Sequence, residues 1–321
     1  MKRGPKSPML RFLLRRGLSL AATLFLVITL AFLLIRLAPG GPFASEKQLP
    51  PEILASIQRR YHLDESVPRQ YLRFLGDLAH GDLGPSYRYQ DFSVDELIRD
   101  ALPPSMTIGA LALLLALVGG VSLGTLAALR QNSWLDYTAM ALAVVGISVP
   151  LFVLGPLFKL GFALRHPWLP TSGWIDDRRG WLTLILPVAT LTLPYLAGIA
   201  RLTRASVLEV LRSDYVRAAR AKGLSEPVVV LRHVLRGALL PVLSYLGPAC
   251  AGILTGTVVV ETIFAVPGLG RLSVQAAINR DYTLIMGDMI VFAVLLVLMN
   301  FLVDLGYGFL DPRIGHGADA P

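Results

Sequence analysis

"LSLAATLFLVITLAFLLIRLAPG", residues 18–40, is the stretch that decides the fold class. From Leu18 to Ile35 it carries no charged residue, and Arg36 and Pro39 close it. Roughly 20 consecutive apolar residues cross a bilayer as one helix. The run follows Lys2, Arg3, Lys6, Arg11, Arg15 and Arg16, a basic start that a signal peptide would share. A signal peptide, however, has an apolar core of only about 7–15 residues before a small-residue cleavage site. This run is longer and has no clear A-x-A site, so it reads as an uncleaved anchor.

Five more apolar blocks lie further along, at Pro104–Leu129, Tyr137–Leu164, Trp181–Thr203, Ala238–Val260 and Thr283–Leu310. Each is long enough to span at about 1.5 Å per residue. The chain is therefore expected to be an all-α integral membrane protein with six transmembrane helices. Composition agrees. Of 321 residues 54% are hydrophobic and 16% charged, against about a quarter charged in soluble domains. Pro150, Pro156, Pro187, Pro194 and Pro248 fall inside the spans and read mostly as ordinary kinks. Prolines are tolerated there when neighbouring groups cover the freed carbonyl. No pair of interrupted half-helices is expected.

Charge sidedness sets the orientation. The basic N-terminal tail belongs in the cytoplasm by the positive-inside rule. Six spans then place Arg130–Asp136, Arg201–Gly237 and the C-terminus on the same side. Arg201–Gly237 holds eight basic residues against three acidic ones, whereas the outer Leu37–Asp100 holds seven against ten. Both termini are therefore expected to be cytoplasmic.

The outer segment reads as a small helical cap between the first two spans. Prolines open "PPEILASIQRRY", where Ile53, Leu54, Ile57 and Tyr61 make an apolar stripe. Tyr71, Phe74, Leu75 and Leu78 make another, stopped by Gly81. Ser93 to Glu96 has the spacing of a capping box.

Several chemistries lack their residues. The dipeptide Gly-Lys never occurs, so the chain has no G-x-x-x-x-G-K-[ST] phosphate loop. There is no H-E-x-x-H, no G-x-S-x-G, a single cysteine (Cys250) and five scattered histidines. An enzyme or a metal site is disfavoured on those grounds. Charges within spans are functional candidates by default. Asp288, and Asn300 with Asp304 as an i,i+4 pair, are therefore candidates for a pathway. Glu261 lies near them in sequence. The competing reading is interhelical hydrogen bonding near the span ends.

The inner stretch "DYVRAARAKGLSEPVVVLRHVLRGALLP", residues 214–241, is built as helix, glycine turn, helix. Asp214 suits an N-cap and Gly223 a left-handed stop. Ser225 caps a second helix with Pro227 in its first turn. Arg217 and Arg220 lie on one side, while Ala218, Ala219 and Ala221 keep the first helix slim. Two readings stand on physics alone. One is a helix that fits a groove on a cytoplasmic protein. The other is a basic helix resting on anionic headgroups.

"RAARAKG" resembles the coupling loop of type I ABC importer permeases, whose pattern is E-A-A, three residues, then G. Ala218, Ala219 and Gly223 match that spacing. Arg217 stands where the pattern has an acid. Leu235 fits the later leucine-proline pair, but Arg236 follows it and the proline comes at Pro241. Dispersed strings such as "YHLDESVPRQYLRFLGDLAHGDLGPSY", "SWLDYTAM", "VVVETIFAVPGLGRL", "NRDYTLIMGDMIV" and "LVDLGYGFLDPRI" also resemble the B-type permeases of oligopeptide and dipeptide importers. "GGPFASEKQLPPEILASIQRRYHLDES" favours the oligopeptide branch.

The resemblance implies a non-catalytic pathway subunit that binds no cofactor itself. Its implied partners are a second homologous permease, two ATPase subunits that carry ATP and Mg, an extracytoplasmic peptide-binding protein, and peptide substrate. Nucleic acid is not implied. The implied divisions are 1–38 for tail and anchor, 39–102 for the outer segment, 103–311 for the core with its coupling loop at 204–237, and 312–321 for the tail. The implied coupling element is Asp214, Tyr215, Arg217, Ala218, Ala219, Arg220, Ala221, Lys222 and Gly223. Gly81, Asp82 and Gly84, with Pro267, Gly268 and Gly270, are the expected outer gate or binding-protein side. A dipeptide, glutathione or nickel permease, or an ion-coupled carrier, are the alternatives.

Overall fold

The computed structural model describes residues 8–37, 62–89, 91–175 and 180–310, with 52, 56 and 59 singly. Side chains are described there except at 8–15, 255–256 and 307–310. The expected stripe of Ile53, Leu54, Ile57 and Tyr61 and the 312–321 tail lie outside the described residues. The fold is all helical. Among the described residues, extended pairing is confined to one isolated bridge, Pro85 to Ser93.

Among the described residues, five helices are long and apolar enough to cross a membrane, or six if one sharply bent pair is counted as a single span. The first is α1 (Pro8–Leu37), packed on the last span. A short α2 (Val67–Ala79) follows, with Pro68 in its first turn. The predicted stripe on α2 packs on α1. The Phe32 ring lies 5.1 Å from Tyr71 and 5.7 Å from Phe74, and Tyr71 Oη is 2.7 Å from Thr29 Oγ1.

Helix α3 (Val94–Leu129) starts at the Ser93–Glu96 capping box, where both reciprocal bonds form. It runs unbroken through Pro103 and Pro104. The expected division at 102/103 therefore falls inside one helix. The capped end continues into the span as one helix.

The third span departs from expectation. Helices α4 (Trp134–Ser148) and α5 (Leu151–Lys159) meet at 106°, and a π-turn extends α5 to Arg165. Val149 is extended (φ −84°, ψ 118°) ahead of Pro150. Steric conflict with the proline ring drives the preceding residue out of the helical region, and a β-branched valine adds to that bias. The other span prolines stay within helices.

Next come a 3₁₀ turn (Gly180–Leu184) and α6 (Ile185–Leu211), which packs on α3. Gly120 and Gly124 of α3 make that approach close. A Cβ on Gly120 would lie 2.8 Å from Ile199 Cβ, and one on Gly124 2.7 Å from Thr203 Cβ. Two short helices, α7 (Asp214–Ala221) and α8 (Glu226–Val229), then lead through a π-turn into α9 (Leu235–Phe264). An 11-residue α10 (Leu269–Asn279), unforeseen from sequence, separates α9 from α11 (Tyr282–Leu310).

The apolar interior is layered. Ile108, Leu191, Ile253, Val260 and Phe264 fill one end of the bundle. Ala128, Val207, Val216, Ala219, Val229 and Val234 fill the other, beneath α7 and α8.

Candidate functional site

The α7–α8 hairpin is an outward-presented shell on this second cluster. Ser213, extended at φ −73° and ψ 153°, is the N-cap residue, so Asp214 occupies the first helical position. The Ser213 hydroxyl bonds Val210 O at 2.6 Å and does not cap. The cap thus sits one residue earlier than the sequence suggested. At its first-turn position, Asp214 still complements the helix dipole and pairs with Arg217.

Val216 and Ala219 point into the core. Of the three alanines, only Ala218 and Ala221 are exposed, together with Lys222. Tyr215 is 50% exposed. Its hydroxyl rests against Gly237, where a Cβ would meet it at 2.8 Å. The Arg220 guanidinium donates to both Glu226 oxygens at 2.7 and 3.1 Å. That hydrogen bonding raises Arg220 above the usual guanidinium range. Both arginines of the expected basic face therefore have local acidic partners.

Gly223 adopts φ +77°, with its N–H bonded to Arg220 O at 2.9 Å. A Cβ there would meet nothing within 4 Å. The requirement for glycine is thus one of backbone conformation and not of space. Ser225 is the N-cap residue of α8, with proline in its first turn.

A buried ion pair anchors this end. Arg204 of α6 donates to Asp136 of α4 at 2.5 and 2.7 Å, and Asp136 is 1% exposed. Asn132 N–H completes the carboxylate at 3.0 Å. The pair was not singled out from sequence; its only local signal is Ser133 three residues before Asp136, a capping spacing.

The opposite end is organised by two further carboxylates. Glu261, fully buried, accepts from Ser105 Oγ at 2.6 Å and Arg271 N at 2.9 Å. Ser105 in turn accepts from Leu269 N at 2.8 Å. Glu261 of α9 thereby satisfies orphan donors at the N-terminus of α10. Gly268 and Gly270 permit this. A Cβ on Gly268 would lie 2.6 Å from Glu261 Oε1, and one on Gly270 2.6 Å from Val258 Cα. Pro267 is exposed beside them.

Asp281, also fully buried, accepts from Ser86 Oγ at 2.5 Å and from Tyr87 and Arg88 N–H, and it caps α11 through Leu284 N. It ties the loop after α2 to the last span. Gly81 (φ +80°), Asp82 and Gly84 (φ +83°) form that loop's turn, with Gly84 N donating to Asp82 Oδ1 at 2.8 Å. Leu83, between Gly81 and Gly84, and Leu269, between Gly268 and Gly270, pack into one apolar cluster with Val94 and Ile98.

The three pathway candidates are not brought together. Asp288 is buried and accepts from Ser273 at 2.7 Å. Asn300 lies against Gly247 of α9, and Asp304 pairs with Arg16 of α1.

Residues 120–316 match the binding-protein-dependent transport system inner membrane component family, and residues 9–108 match that system's N-terminal membrane component. The chain belongs to this family. It is 49% identical over 308 residues to the oligopeptide transport system permease protein OppB of Escherichia coli K12, covering 96% of this chain and all of that one. It is 42% identical to the dipeptide transport system permease protein DppB of Bacillus subtilis, covering 95% and 98%. The fold resembles the inward-facing MetNI methionine ABC transporter, with TM-score 0.54 and 17% identity over 67% of this chain and 96% of that one. An amino acid ABC transporter gives 0.50 and 18%, covering 66% and 93%. Within the family this chain is a membrane component without a catalytic role, and the ATPase lies in separate subunits.

Proposed function

We propose that the chain is the translocation-pathway subunit of an ATP-driven oligopeptide importer in the bacterial inner membrane, with both termini cytoplasmic. It works beside a second homologous permease, two ATP-binding subunits that hold ATP and Mg, and an extracytoplasmic peptide-binding protein. The observation that carries the reading is α7. It is short and exposed on one face, wedged on the core by Val216 and Ala219, and stopped by a left-handed Gly223. In this reading residues 214–223 are the coupling element, and membership of the binding-protein-dependent transport family supports an ATPase as its partner.

The bundle end bearing α7 also carries Arg130, Arg204, Arg212, Arg217, Arg220, Lys222 and Arg232, as a cytoplasmic face requires. The opposite end, with Gly81, Asp82, Gly84, Pro267, Gly268 and Gly270, is the binding-protein side. Coupling works because ATP-bound and ATP-free ATPase dimers present α7 with different contacts, and only such a difference shifts the permease equilibrium. The likeness to DppB favours dipeptide as the second reading.

The test is labelled-peptide uptake into proteoliposomes holding the complete five-protein system. Uptake should stop when ATP or the ATPase subunits are omitted. Uptake that persists without them and collapses with an uncoupler would instead make this an ion-coupled carrier.

A further inference from the structure

The exposed faces of the spans are of two kinds. On α1, α3, α4, α5 and α11 they carry large apolar side chains, among them Phe25, Leu115, Leu142, Phe152 and Leu298. Among the described residues, neither α6 (185–211) nor α9 (235–264) exposes a large apolar side chain. The exposed described residues of α6 are Arg201, Ala205 and Glu209. Those of α9 are Arg236, Pro241, Ser244, Pro248 and Thr262. A span bathed in lipid presents apolar side chains, whereas polar ones face protein or a water-filled cavity.

These residues share one seam. Arg201, Ala205 and Glu209 are three to four apart on α6, as are Pro241, Ser244 and Pro248 on α9, so each set lines one helix face. Two close contacts fix the register. Tyr195 Oη lies against Gly252, at 2.5 Å from a Cβ built there, and Val210 packs on Gly237 at 3.5 Å. The antiparallel helices therefore place Arg201 level with Leu246, between Ser244 and Pro248. Gly198, one turn before Arg201, lies against the Tyr245 hydroxyl, 2.8 Å from a built Cβ.

Arg201 is the innermost charge on this seam, since Glu209 and Arg236 lie about two to three turns nearer the α7 end. It lies about 5 Å deeper than Arg204 at 1.5 Å per residue. Arg204 has Asp136, whereas Arg201 forms no hydrogen bond or ion pair with the described residues, its charge acting only on the nearby Tyr245 hydroxyl. A charged residue at membrane depth is retained where it meets water and an opposite charge. A planar guanidinium matches a carboxylate with two parallel hydrogen bonds.

We propose that the α6–α9 seam is this chain's wall of the translocation pathway and that Arg201 is its recognition site for a substrate carboxylate. The group in question is the C-terminal α-carboxylate that peptides share whatever their sequence. The proposal rests on the peptide-importer reading above and gives it a substrate contact in the permease itself.

The test uses the complete five-protein system in proteoliposomes. Uptake is compared for one peptide with a free C-terminus and for its C-terminal amide, both shown beforehand to be retained by the binding protein. Wild type should prefer the free acid. Arg201→Gln should reduce free-acid uptake roughly tenfold, the scale of one charged hydrogen bond. It should leave amide uptake near its wild-type level, so the preference disappears, and Arg201→Lys should restore part of it. An equal loss for both peptides would overturn the proposal and assign Arg201 to a carboxylate of the second permease or to a lipid phosphate. An unchanged preference would overturn it too. If wild type takes up neither peptide, the importer reading fails first and the carboxylate site falls with it.

Discussion

Arg204 and Asp136 form a two-pronged ion pair, 2.5 and 2.7 Å long, that joins the start of α4 to α6 just above the α7–α8 hairpin. Helix α6 runs from Ile185 at the far end of the bundle to Leu211, with α7 starting three residues later. In the proposed importer, a displacement of α7 reaches the spans through α6 and, by way of α8, through α9, and this pair ties α4 to α6.

Breaking one side of a buried pair leaves an uncompensated charge, at a cost of about 3–5 kcal/mol. Asp136→Ala should therefore sharply lower the thermal transition of the detergent-solubilised protein, followed by fluorescence-detected gel filtration. Arg204→Lys should also fall short of wild type, because an ammonium cannot reproduce the paired geometry. A wild-type transition for Asp136→Ala would show that the pair has little structural weight.

Both Glu261 carboxylate oxygens accept hydrogen bonds, from Ser105 Oγ and Arg271 N. In Glu261→Gln one oxygen becomes an NH₂ that faces Ser105 or a backbone N–H of α10. A buried donor left without an acceptor costs about 1–3 kcal/mol. The variant should lose stability by that amount and exchange the α10 amide protons faster, as hydrogen-exchange mass spectrometry would read.

Two glycine substitutions should diverge. Gly76→Ala lies within α2, with open space around it, and should be neutral or stabilise by up to about 1 kcal/mol. Gly268→Ala would drive a methyl into the Glu261 carboxylate and should destabilise strongly. Equal transitions for the two variants would contradict the packing described for the α9–α10 turn.

What the sequence disclosed follows from range. Ser93 to Glu96, the Tyr71–Leu78 stripe and the Gly223 stop are signals read within one or two helical turns, and each appears in the structure. Five of the six expected spans are legible because apolar length alone sets them. The break at Pro150 was lost among five similar prolines; Val149 is the local feature that sets it apart. The ion pair of Asp136 with Arg204 joins residues 68 apart, and the bond from Ser86 to Asp281 joins residues 195 apart. No local pattern encodes such partners. Likewise, Asp288 and Asp304 looked available in sequence, yet tertiary structure gives them Ser273 and Arg16.

The most direct measurement is the number of peptides imported per ATP hydrolysed, by the complete system, with wild-type chain and with Gly223→Val. A β-branched residue at φ +77° is strained by about 1–2 kcal/mol, while the site offers room for the side chain. The variant complex should still assemble and hydrolyse ATP, but its imported peptide per ATP should drop by roughly tenfold if that strain falls on the coupled state. An unchanged ratio would contradict the account and leave the α7–α8 hairpin as a basic surface element at the membrane.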